Sequence, residues 1–306
     1  MGTLKHLVSV DQLTDSVIQL IFERTDMLRN ARPDELSSRL RHKGMATLFY
    51  QESTRTRLSF ERAMQILGGQ VISTVNALQL SSVAKGESDV DTVRTIGQYA
   101  DVIVVRHHIN GSVAKMAEVS PVPIINAGDG PGDHPTQALL DLYTIKKKLG
   151  TYRGLTVVLA GDCKRSRTIH PLAKILARHD NHLLFVSRPS LRIPDEIRNF
   201  LRASGCRFEE HQDLESVLPG ADVIYMTRDQ DNLSNPSDRE DYQIGNPIIL
   251  HAKIMKAAKQ KSIIMHPLPR RSELDISLNA DPRLIIFDQV KNGLYIRTGV
   301  LDVIVF

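Results

Sequence analysis

The sequence predicts an α/β protein: two parallel-sheet domains with the active-site cleft between them, and a C-terminal helix returning to the first domain. Three observations carry this. Apolar, strand-like runs alternate with segments of helical period along the whole chain. The 306 residues suffice for two domains of ordinary size. A Gly/Pro-rich connector, GDGPGD at 128–133, interrupts the alternation.

The elements follow in order. SVIQLIFERTDML (16–28) is helical, with Val17, Leu20, Ile21 and Leu28 on one stripe. MATLFYQ (45–51) is a buried strand. TRLSFERAMQILGG is a helix with Phe60, Ala63, Met64 and Leu67 on one face, ended by Gly68-Gly69. QVISTV, DVIVVR (101–106) and VPIINA (122–127) are strands. After the connector, TQALLDLYTIKKKLG is a helix closing on a lysine cluster and Gly150, which suits the negative end of its dipole.

A second alternating set comprises the strands GLTVVLAGD (154–162), HLLFVS (182–187), ADVIYMT (221–227), SIIMHP (262–267) and RLIIF (283–287), with helices over 168–179, 194–204 and 251–260. The domains are therefore 1–134, with 288–306 returning to it, and 135–287. Ligands of such sheets bind outside the carboxyl ends of the strands.

One of those ends reads Ser53-Thr-Arg-Thr-Arg57, between an apolar strand and an amphipathic helix. A first helical turn has N–H groups without internal acceptors and carries the positive end of the dipole. Hydroxyls at 53, 54 and 56 and the Arg55 guanidinium add donors there, which makes an anion site suited to phosphate. The plainer reading is a Ser53 or Thr54 helix cap with solvated arginines. Other strand ends are equally polar: Arg106 with His107, His134 and Gln137 after the connector, Arg167, Arg228 with Gln230, and HPLPR at 266–270. A lone His134 reads as readily as a capping or hydrogen-bonded histidine, and Lys85 as a solvated loop residue; five polar strand ends facing one cleft argue for a site. There is no G-x-x-x-x-G-K-[ST] loop, and GDGPGDH lacks the third glycine of a dinucleotide fingerprint.

Composition narrows the classes. Net charge is +4, with 5% aromatic residues and no Trp. That suits a small anionic ligand better than an extended nucleic-acid surface. No window of 18 apolar residues crosses a membrane. The start MGTLKH reads neither as a secretory signal nor as a myristoylation signal. Two cysteines without metal or redox spacing fit a reducing cytoplasm, so the glycosylation-type triplets at Asn110 and Asn232 carry little weight.

With these residues in view, the chain resembles the aspartate carbamoyltransferase family over nearly its whole length. The marks are STRTR (53–57), SSVAKGES (81–88), VVRHH (104–108), INAGDGPGDHPTQALLDLYTI (125–145), Arg-Thr-Ile-His (167–170), YMTR-x-Q (225–230), MHPLPR (265–270) and NGLYIR (292–297). The resemblance implies carbamoyl transfer from carbamoyl phosphate to L-aspartate in pyrimidine biosynthesis, without metal or cofactor. It also implies a carbamoyl-phosphate domain, an aspartate domain, and a homotrimer with shared sites. Regulatory chains or other pathway enzymes are further partners in such a family. By position, Ser53, Thr54, Arg55 and Thr56 hold the phosphate, and Thr56, Arg106 and His134 the carbonyl oxygen. Gln137 and the carbonyls of Leu268 and Pro269 hold the carbamoyl amine. Ser81 and Lys85 come from the adjacent chain, and Arg167, Arg228 and Gln230 bind aspartate. The Leu268-Pro269 bond is expected to be cis.

The chain departs from the family's usual residues at Gln51, where a glutamate pairs with arginines on domain closure, and at Glu52. The expectation is weaker coupling of closure to aspartate binding, with Gln51→Glu lowering the aspartate concentration for half-maximal rate. Cys163, Arg165, Ser166 and the 229–234 stretch also depart, and Arg165 stands to disturb or supplement Arg167. Asp288 and Lys291 replace an Arg and a Glu, a reversed pair that would preserve a salt link. These departures leave two alternatives, a carbamoyltransferase for another acceptor and a weakly active binding subunit.

Overall fold

The computed structural model describes residues 4–77, 85–228 and 246–306, so Ser81 and Gln230 lie outside the described residues. The chain forms two compact units, Met1–Leu140 with Val290–Phe306, and Asp141–Gln289.

The first unit begins with helices α1 (Asp15–Asn30) and α2 (Pro33–Ser38). Strand β1 (Gly44–Phe49), helix α3 (Thr54–Ile66), β2 (Gln70–Val75), helix α4 (Asp89–Ile96), β3 (Val102–His107), helix α5 (Ser112–Val119) and β4 (Ile124–Asp129) follow. The strands pair in parallel in the order β2-β1-β3-β4. β3 is buried along its entire length and β1 beyond its first residue, as expected of a parallel sheet covered on both faces. On one face Ala46, Leu48, Ile103 and Val105 pack against Val93 of α4 and Val113 and Met116 of α5. In α1 the buried stripe is Ile18, Ile21, Phe22 and Leu28 rather than the predicted Val17-Leu20 side; the rotation puts the larger Phe22 inside.

Helix α6 (Pro135–Leu149) contains the division between the units. The second unit carries β5 (Thr156–Ala160), helix α7 (Ile169–Leu176), β6 (His182–Val186), helix α8 (Asp195–Ala203), β7 (Arg207–His211), β8 (Val223–Met226) and β9 (Ile263–Met265). All pair in parallel, in the order β7-β6-β5-β8-β9. Helix α9 (Ile286–Val305) ends the chain, its residues from Val290 onward counting with the first unit.

Two predicted elements differ, and one strand was not predicted. The 283–287 segment is not a strand: Leu284 makes one bridge to Ile264, and the Gln289 N–H already donates to the Ile285 carbonyl as α9 begins. The 251–260 segment forms only a 3-10 turn over Ile254–Lys256, since no side chain caps its start and one turn suffices to bring Ile254, Met255 and Ala258 to the core. β7, RFEEH, gave no apolar signal because it is a charged edge strand, the composition that blunts an open edge.

In each sheet the strand order reverses once, between β1 and β3 in the first and between β5 and β8 in the second. The carboxyl ends flanking such a reversal open a crevice, the usual place for a ligand in this architecture.

Candidate active-site residues

At the first reversal, β1 leads into Gln51-Glu-Ser53 and then α3. Ser53 occupies the N-cap position, yet its hydroxyl makes no bond to the helix. The helix-capping role that the sequence allowed for Ser53 is therefore not taken up. Thr56 is 7% exposed, whereas Thr54 and Arg55 face outward. Arg57 turns away: its Nη1 lies 3.4 Å from Glu61 Oε1 and 3.4 Å from the Ser73 hydroxyl.

Across the reversal, Arg106 pairs in register with Phe49 of β1. It is 7% exposed, and its Nη1 donates to the Ala127 carbonyl at 3.0 Å. Gly128 follows at φ +120°, and a Cβ there would sit 2.8 Å from Arg106 Nη1 and 3.6 Å from His134 Cδ2. The missing side chain thus lets Arg106 and His134 converge over one backbone position.

The connector is held by its own bonds. Gly128 N–H donates to Asn126 Oδ1 at 2.8 Å, Gly130 N–H to the His107 carbonyl at 3.0 Å, and Gly111 N–H to Asp129 Oδ2 at 2.9 Å. Burial raises the Asp129 pKa, against the lowering effect of the backbone donors around it. His134, 4% exposed, precedes α6, and its carbonyl accepts the N–H groups of Gln137 and Ala138. Gln137 is half-buried and Lys85 exposed.

At the second reversal, Gly161 ends β5 at φ +115°, and a Cβ there would lie 2.1 Å from the Thr227 carbonyl oxygen. This close approach joins the loops carrying Arg167 and Arg228. Burial and then the charge of Arg228 hold the Arg167 pKa below its ordinary value. Two guanidiniums so arranged gain from an anion placed against both. Arg165 does not enter this arrangement as a disturbance: its Nη1 lies 3.7 Å from the buried Asp162, whose other oxygen accepts the Lys164 and Arg165 N–H groups.

The HPLPR segment follows β9, and Leu268-Pro269 is cis, with Leu268 at φ 58°. His266 Nδ1 accepts the Leu268 N–H at 2.8 Å, which leaves the ring hydrogen on Nε2, 2.9 Å from Glu273 Oε1. Burial works to raise the Glu273 pKa, but the bonds from His266 and the Arg271 N–H hold it below the ordinary value.

Behind this loop lies a buried polar network that single-sequence reading did not find. Gln289 Oε1 accepts the His266 N–H at 2.9 Å, Gln289 Nε2 donates to Asp141 Oδ1 at 2.6 Å, and the Tyr225 hydroxyl donates to Asp141 Oδ2 at 2.8 Å. The one available signal was polar residues inside otherwise apolar helical stretches. Asp288 pairs with Lys148 at 2.5 Å, so the reversed link expected with Lys291 is made instead to α6.

Among the described residues no group of three His, Cys, Asp or Glu side chains is arranged to hold a metal, and no helix is long and apolar enough to cross a membrane.

Two sequence profiles match the chain: Aspartate/ornithine carbamoyltransferase, carbamoyl-P binding domain, over residues 5–147, and Aspartate/ornithine carbamoyltransferase, Asp/Orn binding domain, over residues 153–304. The aspartate carbamoyltransferase catalytic subunit of Thermococcus gammatolerans is 42% identical over 298 residues, covering 97% of this chain and 96% of that protein. Chloroplastic aspartate carbamoyltransferase 1 of Pisum sativum is 41% identical over 304 residues, 98% of this chain and 78% of the relative. Among solved structures, aspartate transcarbamoylase from Trypanosoma cruzi in complex with carbamoyl phosphate and aspartate superposes with TM-score 0.91 at 35% identity, covering 99% of this chain and 97% of that one. The catalytic subunit of M. Jannaschii aspartate transcarbamoylase gives 0.88 at 40% identity over 98% of both chains. The chain belongs to the aspartate/ornithine carbamoyltransferase family.

Proposed function

We infer that the chain transfers the carbamoyl group of carbamoyl phosphate to the amino group of L-aspartate, giving N-carbamoyl-L-aspartate and phosphate in pyrimidine biosynthesis. The observation that carries this is the full-length relation to aspartate enzymes, one of them solved with both substrates bound. Arginines at both sheet reversals support it.

Carbamoyl phosphate and aspartate each bring about two negative charges, so binding them together requires several cations. In this reading the phosphate takes the hydroxyls and N–H groups of Ser53, Thr54 and Thr56 with Arg55. Thr56, Arg106 and His134 face the carbonyl oxygen. Gln137 and the carbonyls of Leu268 and Pro269 take the carbamoyl amine. Arg167, Arg228 and Gln230 take the two carboxylates. Arginine suits both anions because its planar fork binds them through two hydrogen bonds.

The neutral amine attacks the carbonyl carbon, a C–N bond forms, and charge builds on the oxygen. Positioned donors at that oxygen are each worth about 3–4 kcal/mol. The C–O bond to phosphate then breaks, and the phosphate leaves with the amine proton. Holding both reactants in place supplies further acceleration.

The working form in this reading is a cytoplasmic homotrimer, with Ser81 and Lys85 reaching a neighbour's site. Two cysteines, neither in a disulfide, fit that compartment. Leu58 and Ile72, 49% and 48% exposed, give the first unit apolar surface for such contacts. Phosphate release with carbamoyl phosphate and a panel of amines tests the reaction: turnover of L-aspartate and not ornithine is expected, and the reverse would overturn it. Mixing Arg55→Ala chains with Lys85→Ala chains tests the shared site, since two inactive parents should then give active hybrids.

A further inference from the structure

Three segments that carry anion-binding residues meet at one carboxylate. The Tyr50 hydroxyl donates to Asp89 Oδ1 at 3.2 Å. His107 Nε2 lies 3.4 Å from Asp89 Oδ2. The Ile109 N–H donates to His107 Nδ1 at 3.0 Å, so the ring hydrogen sits on Nε2 and points at the carboxylate. The rings of Tyr50 and His107 pack with centroids 4.3 Å apart, and His108 stacks on His107 at 4.5 Å. The Tyr50 N–H also donates to the Arg106 carbonyl at 2.9 Å.

Tyr50 stands between β1 and the donors at 53–56, and His107 directly follows Arg106. Asp89 itself opens α4, four residues after Lys85. A surface acid in a first helical turn needs no partner beyond the helix dipole. This one instead reaches across to two strand ends, with His107 almost wholly buried beneath it.

We propose that Asp89 is a positioning residue, acting through Tyr50 and His107 to hold the anion-binding ends of β1 and β3 and the segment after Lys85 in one arrangement. This rests on the carbamoyl-transfer reading for the identity of the anion. In that reading Asp89 has no substrate contact of its own and both its partners adjoin phosphate-side residues, so its removal acts on carbamoyl phosphate and leaves the aspartate residues of the second unit untouched.

The test is a double-mutant cycle read in two ways, by kinetics and by the affinity for inorganic phosphate. Asp89→Ala should raise the KM for carbamoyl phosphate about tenfold, the loss of roughly one hydrogen bond to a charged group, with the KM for aspartate at wild-type level. Asp89→Asn, which keeps one acceptor, should recover part of this. Tyr50→Phe should weaken binding in the wild-type background and do nothing further in Asp89→Ala. A carboxylate serving only its helix would lower the unfolding temperature alone. An additive cycle, or a folded Asp89→Ala protein with unchanged phosphate affinity, overturns the proposal. A wild-type chain that makes no N-carbamoyl-L-aspartate yet shows the same cycle in phosphate affinity overturns the reaction and supports the positioning role.

Discussion

Tyr225 gives its hydroxyl hydrogen to Asp141 at 2.8 Å with both side chains fully buried. A carboxylate removed from water keeps its charge only while donors surround it. Tyr225 is also the register partner of Leu159 in β5 and Met265 in β9, so the bond joins the middle of the second sheet to helix α6.

Tyr225→Phe is expected to lower the unfolding free energy by about 1–3 kcal/mol, because the ring still fills its place while the carboxylate loses a donor. Urea unfolding measures this. A variant as stable as wild type would mean that Asp141 is protonated or finds another donor at no cost.

Gly128→Ala is expected to be far more harmful to activity than its size suggests. The new Cβ would lie 2.8 Å from Arg106 Nη1, and φ +120° is a backbone region that L-residues avoid. Either the loop or Arg106 must shift. A displacement of about 1 Å of a positioned donor costs roughly a hundredfold in rate. Steady-state kinetics should show the fall mainly in kcat, and normal turnover would separate Arg106 from the reaction.

The pH dependence of stability has a definite sign. Burial holds His107 and His170 below their ordinary value of 6.5. His6 is lowered too, by burial and then by the charge of Lys5. In the unfolded chain these side chains take up protons near that value, while the folded protein does not. Stability therefore falls as pH drops below 6.5 and continues to fall until the folded-state values are reached. Glu273, depressed by its hydrogen bonds, adds a second loss below its ordinary 4.5. Denaturant midpoints should stay level from pH 8 to about 7 and then decrease down to pH 5, and His107→Gln should flatten part of that slope.

Much of this was legible in the sequence for a physical reason. A buried parallel strand is a short apolar run, and β1, β3, β5 and β8 all announced themselves in that way. The polar cluster after β1 stood out because donors rarely interrupt such a run without cause. What was not legible depends on distance along the chain. Gln289 and Asp141 are 148 residues apart, and no local pattern pairs them. The charged β7 and the Asp89 contacts with Tyr50 and His107 are visible only once the strands lie side by side.

Arg55 and Arg228 offer a separation of the two substrate halves. In the proposed reaction Arg55 meets the phosphate and Arg228 a carboxylate, each through charge-assisted hydrogen bonds worth about 1.5–3 kcal/mol. Arg55→Ala should then raise the KM for carbamoyl phosphate by roughly ten- to a hundredfold. Arg228→Ala should do the same for aspartate while leaving carbamoyl phosphate saturable at its wild-type concentration. It should also remove a like charge from beside Arg167, so the remaining guanidinium is more easily kept protonated. Lysine at 228 should recover only part of the affinity, since one ammonium cannot reproduce a two-pronged contact. Initial rates over a grid of both substrates decide the matter: if the two variants change the same KM, the division of labour between the arginines is wrong.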